Sequence, residues 1–306
     1  MKFSAVIGNP PYNKGMDIDF AILGFGLTSK YVVLIIPAKW QTSERDGQAV
    51  SRYNYGQFRD TLVQHMSTVC FYPESSNVFR VAQSDGITYF LVDKENTFDK
   101  CKVINKCDEQ ALFNNECTRE IIKQQSLNNL GQEIIEYMMP YKPFKWPTFN
   151  GGHYEVWTAR KLSTSGNGRT MIRKDGNTLV TQKVFIYDNF DGQGNDTADS
   201  CQIYASDDKS KCESLSSYLN TKFVRFFVLM NISKLTGVCT DHYYRFVPEP
   251  PNSDYEFTHI WTDEDLYEYY GLNREDAKTA SGLRYRDIIE TIVRDREIKE
   301  DTRQWI

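Results

Sequence analysis

Over its first hundred residues the chain alternates short apolar runs with stretches whose apolar residues recur at helical spacing. Residues 3–7 (F-S-A-V-I) read as a short strand closed by Gly8 and a Pro-Pro turn. Residues 17–27 come next, with Ile18, Ala21, Ile22 and Phe25 on one helical face. The continuous apolar run 31–36 reads as a strand buried on both faces, which predicts a parallel sheet covered by helices. Residues 41–56 are polar and predict a loop, 57–65 a helix, and 68–72 and 87–92 (I-T-Y-F-L-V) two further strands. Alternation of this kind predicts an α/β fold with a parallel-rich sheet.

The pattern changes after Lys94. Residues up to 139 read as largely helical, with 111–113 and 121–135 as candidates. Pro140, Pro143, Pro147 and the turn Asn150-Gly151-Gly152 then break any helix and mark a border region at 139–152. Residues 180–187 predict a strand, 188–199 a polar loop, and 211–232 one long helix carrying Leu215, Tyr218, Leu219, Phe223, Phe226, Phe227 and Met230 near the helical period. After the prolines at 248, 250 and 251 the chain turns helical again. Thr262 with Asp265 resembles a capping box, and Gly271 fits a helix stop. The chain thus divides into three segments, 1–105, 106–250 and 251–306.

Composition changes this picture little. The chain has 306 residues, 40% hydrophobic and 25% charged, which is ordinary for a globular protein. No apolar run approaches the roughly 20 residues needed to cross a bilayer, and the first residues lack a signal-peptide pattern, so the expected location is cytoplasmic, without membrane contact. The seven cysteines contain no C-x-x-C pair and the four histidines no ligand spacing, so no structural metal is expected. Charge is more informative by position than in sum. Residues 140–184 hold Lys142, Lys145, Arg160, Lys161, Arg169, Arg173, Lys174 and Lys183 against Glu155 and Asp175 alone, with Tyr141, Trp146, Tyr154 and Trp157 interleaved. Such a segment suits a nucleic-acid backbone, although a solvated basic face and aromatics packed in a second core account for the same residues.

The chemistry lies in Asn9-Pro10-Pro11-Tyr12, directly after the first strand. An exocyclic base amine is a poor nucleophile because its lone pair is delocalised into the ring. Two hydrogen-bond acceptors can draw it toward sp³ geometry, and the Asn9 side-chain oxygen with the Pro10 carbonyl would supply them. The Pro-Pro pair fixes φ and holds that carbonyl in a rigid turn. Tyr12 offers an aromatic face for a base taken out of the stack. The position fits as well, since open α/β sheets bind ligands at the carboxyl ends of their strands.

The run F-S-A-V-I-G-N-P-P-Y-N resembles motif IV of the N6-adenine DNA methyltransferases of restriction–modification systems. I-I-P-A-K-W (35–40), N-V-F with S-D-G-I-T-Y-F-L-V-D-K (77–94), and S-Y-L-N-T-K-F-V-R-F with W-T-D-E-D-L-Y-E-Y-Y-G-L (217–226 and 261–272) are similar to later parts of that family. The resemblance implies a partial Rossmann-like methyltransferase sheet, its target-base half in residues 1–105, followed by an α+β target-recognition domain. It implies S-adenosylmethionine as donor, adenine in double-stranded DNA as substrate, Asn9, Pro10, Pro11 and Tyr12 as the residues holding the base, and Lys39 and Trp40 near the pocket rim.

The chain departs from the family in one respect. The family's donor-binding strand and its D-x-F-x-G-x-G loop precede motif IV by many tens of residues, whereas here the motif begins at residue 9. The one string of that shape, residues 188–194, leaves only 195–200 before the next strand-like run, too few for a crossover helix. It reads as a polar turn. The donor half is then expected on a second polypeptide. Three alternatives stand beside this reading: a truncated product or fragment whose donor half lies on an upstream segment, a catalytically inactive relative that binds DNA or a partner, and an enzyme of related Asn-Pro-Pro-Tyr type that methylates protein glutamine.

Overall fold

Phe3–Gly8 forms the first strand, β1, after which the chain changes direction sharply. The computed structural model describes residues 2–41, 54–72, 75, 78–79, 86–105, 116–119, 129–147, 151–157, 185–188, 203–231, 244–251 and 259–303. Lys14 (φ 52°) and Gly15 (φ 80°) both adopt the left-handed conformation, turning the chain into helix α1, Met16–Leu27. Glycine takes that conformation freely; for Lys14 it costs about 1–2 kcal/mol. Asp17 and Asp19 in the first turn favour the positive end of the helix, and Lys94 donates to the carbonyls of Phe25 (2.5 Å) and Thr28 (3.2 Å) at the other end. Gly24 lets α1 lie close on β1, because a Cβ there would stand 3.1 Å from Val6 Cγ1.

The chain packs as two compact units, Met1–Gln132 and Glu133–Ile306, where the sequence suggested borders after 105 and 250. In the first unit β1 is succeeded by β2 (Thr28–Pro37), helix α2 (Tyr55–Leu62), β3 (Met66–Tyr72), β4 (Ile87–Asp93), β5 (Cys101–Asn105) and β6 (Glu116–Arg119). These six strands form one sheet in the order β1-β2-β4-β3-β5-β6. The β1–β2 and β3–β5 pairs are parallel; β2–β4, β3–β4 and β5–β6 are antiparallel. The expected α/β class stands, but the parallel-rich sheet is corrected to a mixed one. β1, β2, β3 and β5 still run in one direction, and the reversed β4 is wedged between β2 and β3. The largely helical reading of the stretch before residue 139 is also corrected, since it contains β5 and β6. Helix α3 occupies Asn129–Met138, overlapping the expected 121–135 region, and 111–113 and 121–128 lie outside the described residues.

One face of the sheet is closed by α1 and α2. Val32, Leu34 and Ile36 of β2, Val69 of β3 and Phe90 and Val92 of β4 pack there against Ile18, Ala21, Phe58 and Leu62, all nearly or wholly buried. Each such side chain contributes roughly 1.5–3 kcal/mol by leaving water. The other face differs. Along β2, Tyr31, Val33 and Ile35 remain half-buried between fully buried neighbours. The expectation that this strand is buried on both faces is therefore corrected: its side chains are apolar on both, but one face alone is well covered.

The second unit contains a three-stranded antiparallel sheet, β8 (Phe185–Asp188), β7 (Tyr154–Trp157) and β9 (Ile203–Ser206), with β7 in the middle. The strand that leads into residues 188–194 thus belongs to an antiparallel sheet and not to a strand–helix–strand crossover; residues 189–194 lie outside the described ones. Gly152 (φ 157°) is required at the entry to β7, because a Cβ would meet the Ser206 backbone at 2.4 Å. The single helix expected over 211–232 is two, α4 (Lys209–Asn220) and α5 (Lys222–Asn231). Thr221 is extended between them, and its hydroxyl accepts from Val224 N–H (3.2 Å) while donating to the Tyr218 carbonyl (2.7 Å). A threonine capping group ends one helix and begins the next. Helices α6 (Asp263–Tyr269) and α7 (Tyr285–Arg303) complete the unit. The Thr262–Asp265 capping box is present, and Gly271 (φ 70°) closes α6, as the sequence predicted. Phe223 stacks on Tyr270 (5.0 Å, 11°) at the heart of this core.

Candidate functional site

The candidate site gathers at the carboxyl ends of β1 and β2. Asn9 leaves β1 exposed, Pro10 is buried beneath it, and Tyr12 is half-buried at the start of the left-handed turn. The Tyr12 hydroxyl donates to Asn9 Oδ1 at 2.6 Å, so the two polar side chains of the motif meet across the prolines. The rigid Pro-Pro segment makes this closure possible by fixing the loop between them.

Two charged groups stand behind that pair. Asp17, 4% exposed in the first turn of α1, has its carboxyl pushed up to about 6 by burial. Backbone N–H groups of Asp17 and Ile18 and the charge of Lys39 pull it back down. Burial also raises the Tyr12 phenol, and the nearby Asp17 carboxylate raises it further. A neutral hydroxyl at Tyr12 is thereby retained as a hydrogen-bond donor across the physiological range. Lys39, from the 3-10 turn Ala38–Gln41 after β2, brings the end of the second strand into the same electrostatic neighbourhood.

Trp40, expected near the rim of a pocket, is wholly buried. Its indole N–H donates to Thr88 Oγ1 (3.1 Å), its ring packs on Phe58 (5.2 Å), and its carbonyl accepts from the buried Arg59 guanidinium (2.8 Å). Thr88 in turn donates to the Ile36 carbonyl at 3.3 Å. These bonds pin the end of β2 and with it the position of Lys39. Sequence reasoning missed Asp17, Arg59 and Thr88. The place of Asp17 in the first turn of a predicted helix was a readable signal, whereas the other two act on partners 19 and 48 residues away.

The basic segment is only partly described. Lys142 and Lys145 lie exposed on either side of buried Phe144. Arg160, Lys161, Arg169, Arg173, Lys174 and Lys183 lie outside the described residues. Of the interleaved aromatics, Trp146 packs on Phe144 (5.8 Å) and Tyr244 (5.2 Å), and Tyr141 meets Tyr270 edge-on at 4.8 Å. Both belong to the aromatic packing of the second unit. Among the described residues, no group of three or more His, Cys, Asp or Glu is placed to hold a metal ion, and no helix is long and apolar enough to cross a membrane.

No family profile and no curated protein matches the chain. Among solved structures it is similar to a modification subunit of a putative type I restriction enzyme from Vibrio vulnificus YJ016, at 11% identity and a TM-score of 0.28. That likeness covers 36% of this chain and 27% of the other. It is similar also to the type IIG restriction endonuclease BpuSI, at 13% identity and a TM-score of 0.28, over 53% of this chain and 20% of that one. The matched region thus spans about a quarter or less of the length of either protein.

Proposed function

We propose that the chain is the target-base and DNA-recognition component of a site-specific DNA adenine-N6 methyltransferase, working with a donor-binding part, on a partner chain or an upstream segment, that holds S-adenosylmethionine. The observation that carries this reading is the acceptor at the end of β1. Asn9 Oδ1 is exposed at the mouth of the site and already accepts a hydrogen bond from a neutral donor, the Tyr12 hydroxyl. A base amino group entering the site takes the place of that hydroxyl on Oδ1. The Pro10 carbonyl supplies the second acceptor, and the freed Tyr12 ring stacks on the base. Acceptors aimed at both N–H bonds favour the pyramidal nitrogen over the planar one, so their contribution grows toward the transition state. Asp17 and Lys39 act behind the pair, keeping the Tyr12 phenol protonated and the loop in register with β2.

S-adenosylmethionine supplies the methyl group in this reading, but the described residues do not form a site for it. No glycine loop follows a parallel strand among them, and the donor is assigned to the donor-binding part, whether partner chain or upstream segment. Lys142 and Lys145, with the rest of the basic segment, are assigned to the DNA backbone.

The test is Asn9→Ala in the reconstituted enzyme. Loss of an acceptor that acts on developing charge lowers kcat by about 10²–10³-fold and leaves DNA affinity within about twofold. A variant that methylates adenine at the wild-type rate would reduce Asn9 to a turn residue and remove the reading.

A further inference from the structure

Asp17 and Glu155 are the two carboxyl side chains buried among the described residues, and Asp17 stands beside the candidate site. The N–H groups of Asp17 itself and of Ile18 bond to its carboxyl, which leaves part of the roughly four lone-pair positions of an ionised carboxylate unused. Among the described residues no side chain donates to it. The fold gives little reason for this burial, because taking a carboxylate out of water opposes its charge. An acid in the first turn of a helix interacts with the helix end equally well from the surface. Asp19 does so, exposed and accepting from Asn54 at 3.0 Å.

Tyr12 supplies the second observation. Its hydroxyl donates to Asn9 Oδ1 at 2.6 Å, the same oxygen that the proposed function gives to the amino group of the base. An arriving base therefore displaces a half-buried phenol, and a hydroxyl left there without an acceptor is costly. Asp17 is the charged side chain that acts on that phenol, raising it beyond what burial does and so keeping it able to donate. The left-handed pair Lys14 and Gly15 turns the chain so that residue 17 returns to the neighbourhood of residue 12. Pro10 and Pro11 fix the backbone before Tyr12, so its hydroxyl changes partner by turning of the side chain.

We infer that Asp17 is a positioning residue of the site: when the base takes Asn9 Oδ1, the Tyr12 hydroxyl moves its hydrogen bond to the Asp17 carboxylate, which holds the ring where the base stacks. The inference rests on the proposed function for the identity of the base. No covalent bond changes in the exchange, and the proton stays on the phenol. A hydrogen bond to a carboxylate is stronger than one to an amide oxygen, so the displaced hydroxyl is drawn to Asp17 and the ring is held there. Other charges near Asp17 do not take its place. Lys39, in the turn after β2, lowers its carboxyl and Asp19 raises it. Lys14 is exposed in the turn before α1, and β1 has no titratable side chain. Lys30 and Tyr31 stand toward the other end of β2 from Lys39. On α2, Tyr55 is buried, Asp60 is exposed and Arg59 donates to the Trp40 carbonyl.

The exchange is tested first in the full chain alone, by following the Asp17 carboxyl carbon against pH by NMR, its signal identified by its loss in Asp17→Asn. Asn9→Ala removes the acceptor that Tyr12 uses in the free chain, so the hydroxyl moves to Asp17. The titration midpoint should then fall by about one pH unit, since a hydrogen bond to the charged form favours that form. Adding Tyr12→Phe should restore the native midpoint. A midpoint unmoved by Asn9→Ala, or lowered equally in the double variant, would overturn the inference. In the reconstituted enzyme, Asp17→Asn should lower kcat for transfer to unmethylated genomic DNA by about tenfold, with KM within about twofold. In a Tyr12→Phe background the same change should cost less than about twofold. Equal losses in the two backgrounds would make Asp17 a purely structural acid. The native kcat should also rise with pH through the Asp17 midpoint and that of Asp17→Asn should not; the same rise in both would count against the assignment. Failure here is separable from failure of the proposed function. A midpoint that responds as expected, while Asn9→Ala methylates adenine at the native rate, keeps the exchange and removes the function. Loss of transfer in Asn9→Ala with an unmoved midpoint does the reverse.

Discussion

Strand β4 pairs with β2 on one side and β3 on the other, and Ile87, Thr88, Phe90 and Val92 are all buried. Among the described residues strand β1 pairs on one side alone, none of its side chains is fully buried, and the polar motif begins directly after it. The two strands have comparable length and apolar content. What differs is the number of described neighbours, and it separates the two: β4 joins the halves of the sheet, while β1 leads into the candidate site at the sheet's edge. The end of this sheet that carries the candidate site is thus also its least supported part among the described residues.

The largest expected effect falls on the supported side. Phe90→Ala removes a ring that packs against Phe58 (5.8 Å), and should lower unfolding stability by about 3–5 kcal/mol. Urea denaturation would measure it, and a loss below about 1 kcal/mol would show that β4 is not the centre of the core. A smaller effect of opposite sign is expected just beyond β1. Asp17 has a higher pKa folded than unfolded, so the folded state holds its proton more tightly. Its contribution to stability becomes less favourable as pH rises from below the usual carboxylate range through about 6. Asp17→Asn should therefore be more stable than the native chain above that window, by on the order of 1–2 kcal/mol. The gain should vanish at acid pH; denaturation midpoints on the two sides of the window test this, and an equal difference at both would contradict it. The smallest effect belongs to β1. Ile7→Ala should change stability by less than about 0.5 kcal/mol because the side chain is already in water; a loss comparable to that of Phe90→Ala would mean that the edge is covered within the chain.

Much of the first unit was legible because its periodicities are strong and its partners near in sequence. β1, α1, β2 and α2 come in chain order, and each apolar face is visible in its own short run of residues. β5 and β6 escaped because C-K-V-I-N and E-C-T-R are short and polar at alternate positions, so only pairing with β3 and with each other makes them strands. The uncovered face of β2 could not be read from the strand itself: apolar residues record what a face is suited to meet, not whether anything meets it. In the site, Asn9 to Tyr12 stood out as a local pattern. Trp40 did not declare itself a core residue, because its hydrogen-bond partner Thr88 arrives 48 residues later. The break at Thr221 was hidden by apolar spacing that runs unbroken through two helices.

The place of β4 has a consequence for how the chain is assembled as it is synthesised. β2 and β3 are adjacent in sequence order but touch only through β4, which is made after both. While the ribosome is still short of Ile87, β2 and β3 cannot bridge the gap between them, and each shows an open backbone edge. Completion of Ile87–Asp93 fills that gap and closes two ladders at once, antiparallel to both. The nascent chain therefore passes through a stage with four unpaired strand edges, one each on β1 and β2 and two on β3, of which that of β1 stays unpaired among the described residues. Chaperone contact and misassembly should concentrate in that interval, before the last strand of the joint has left the exit tunnel.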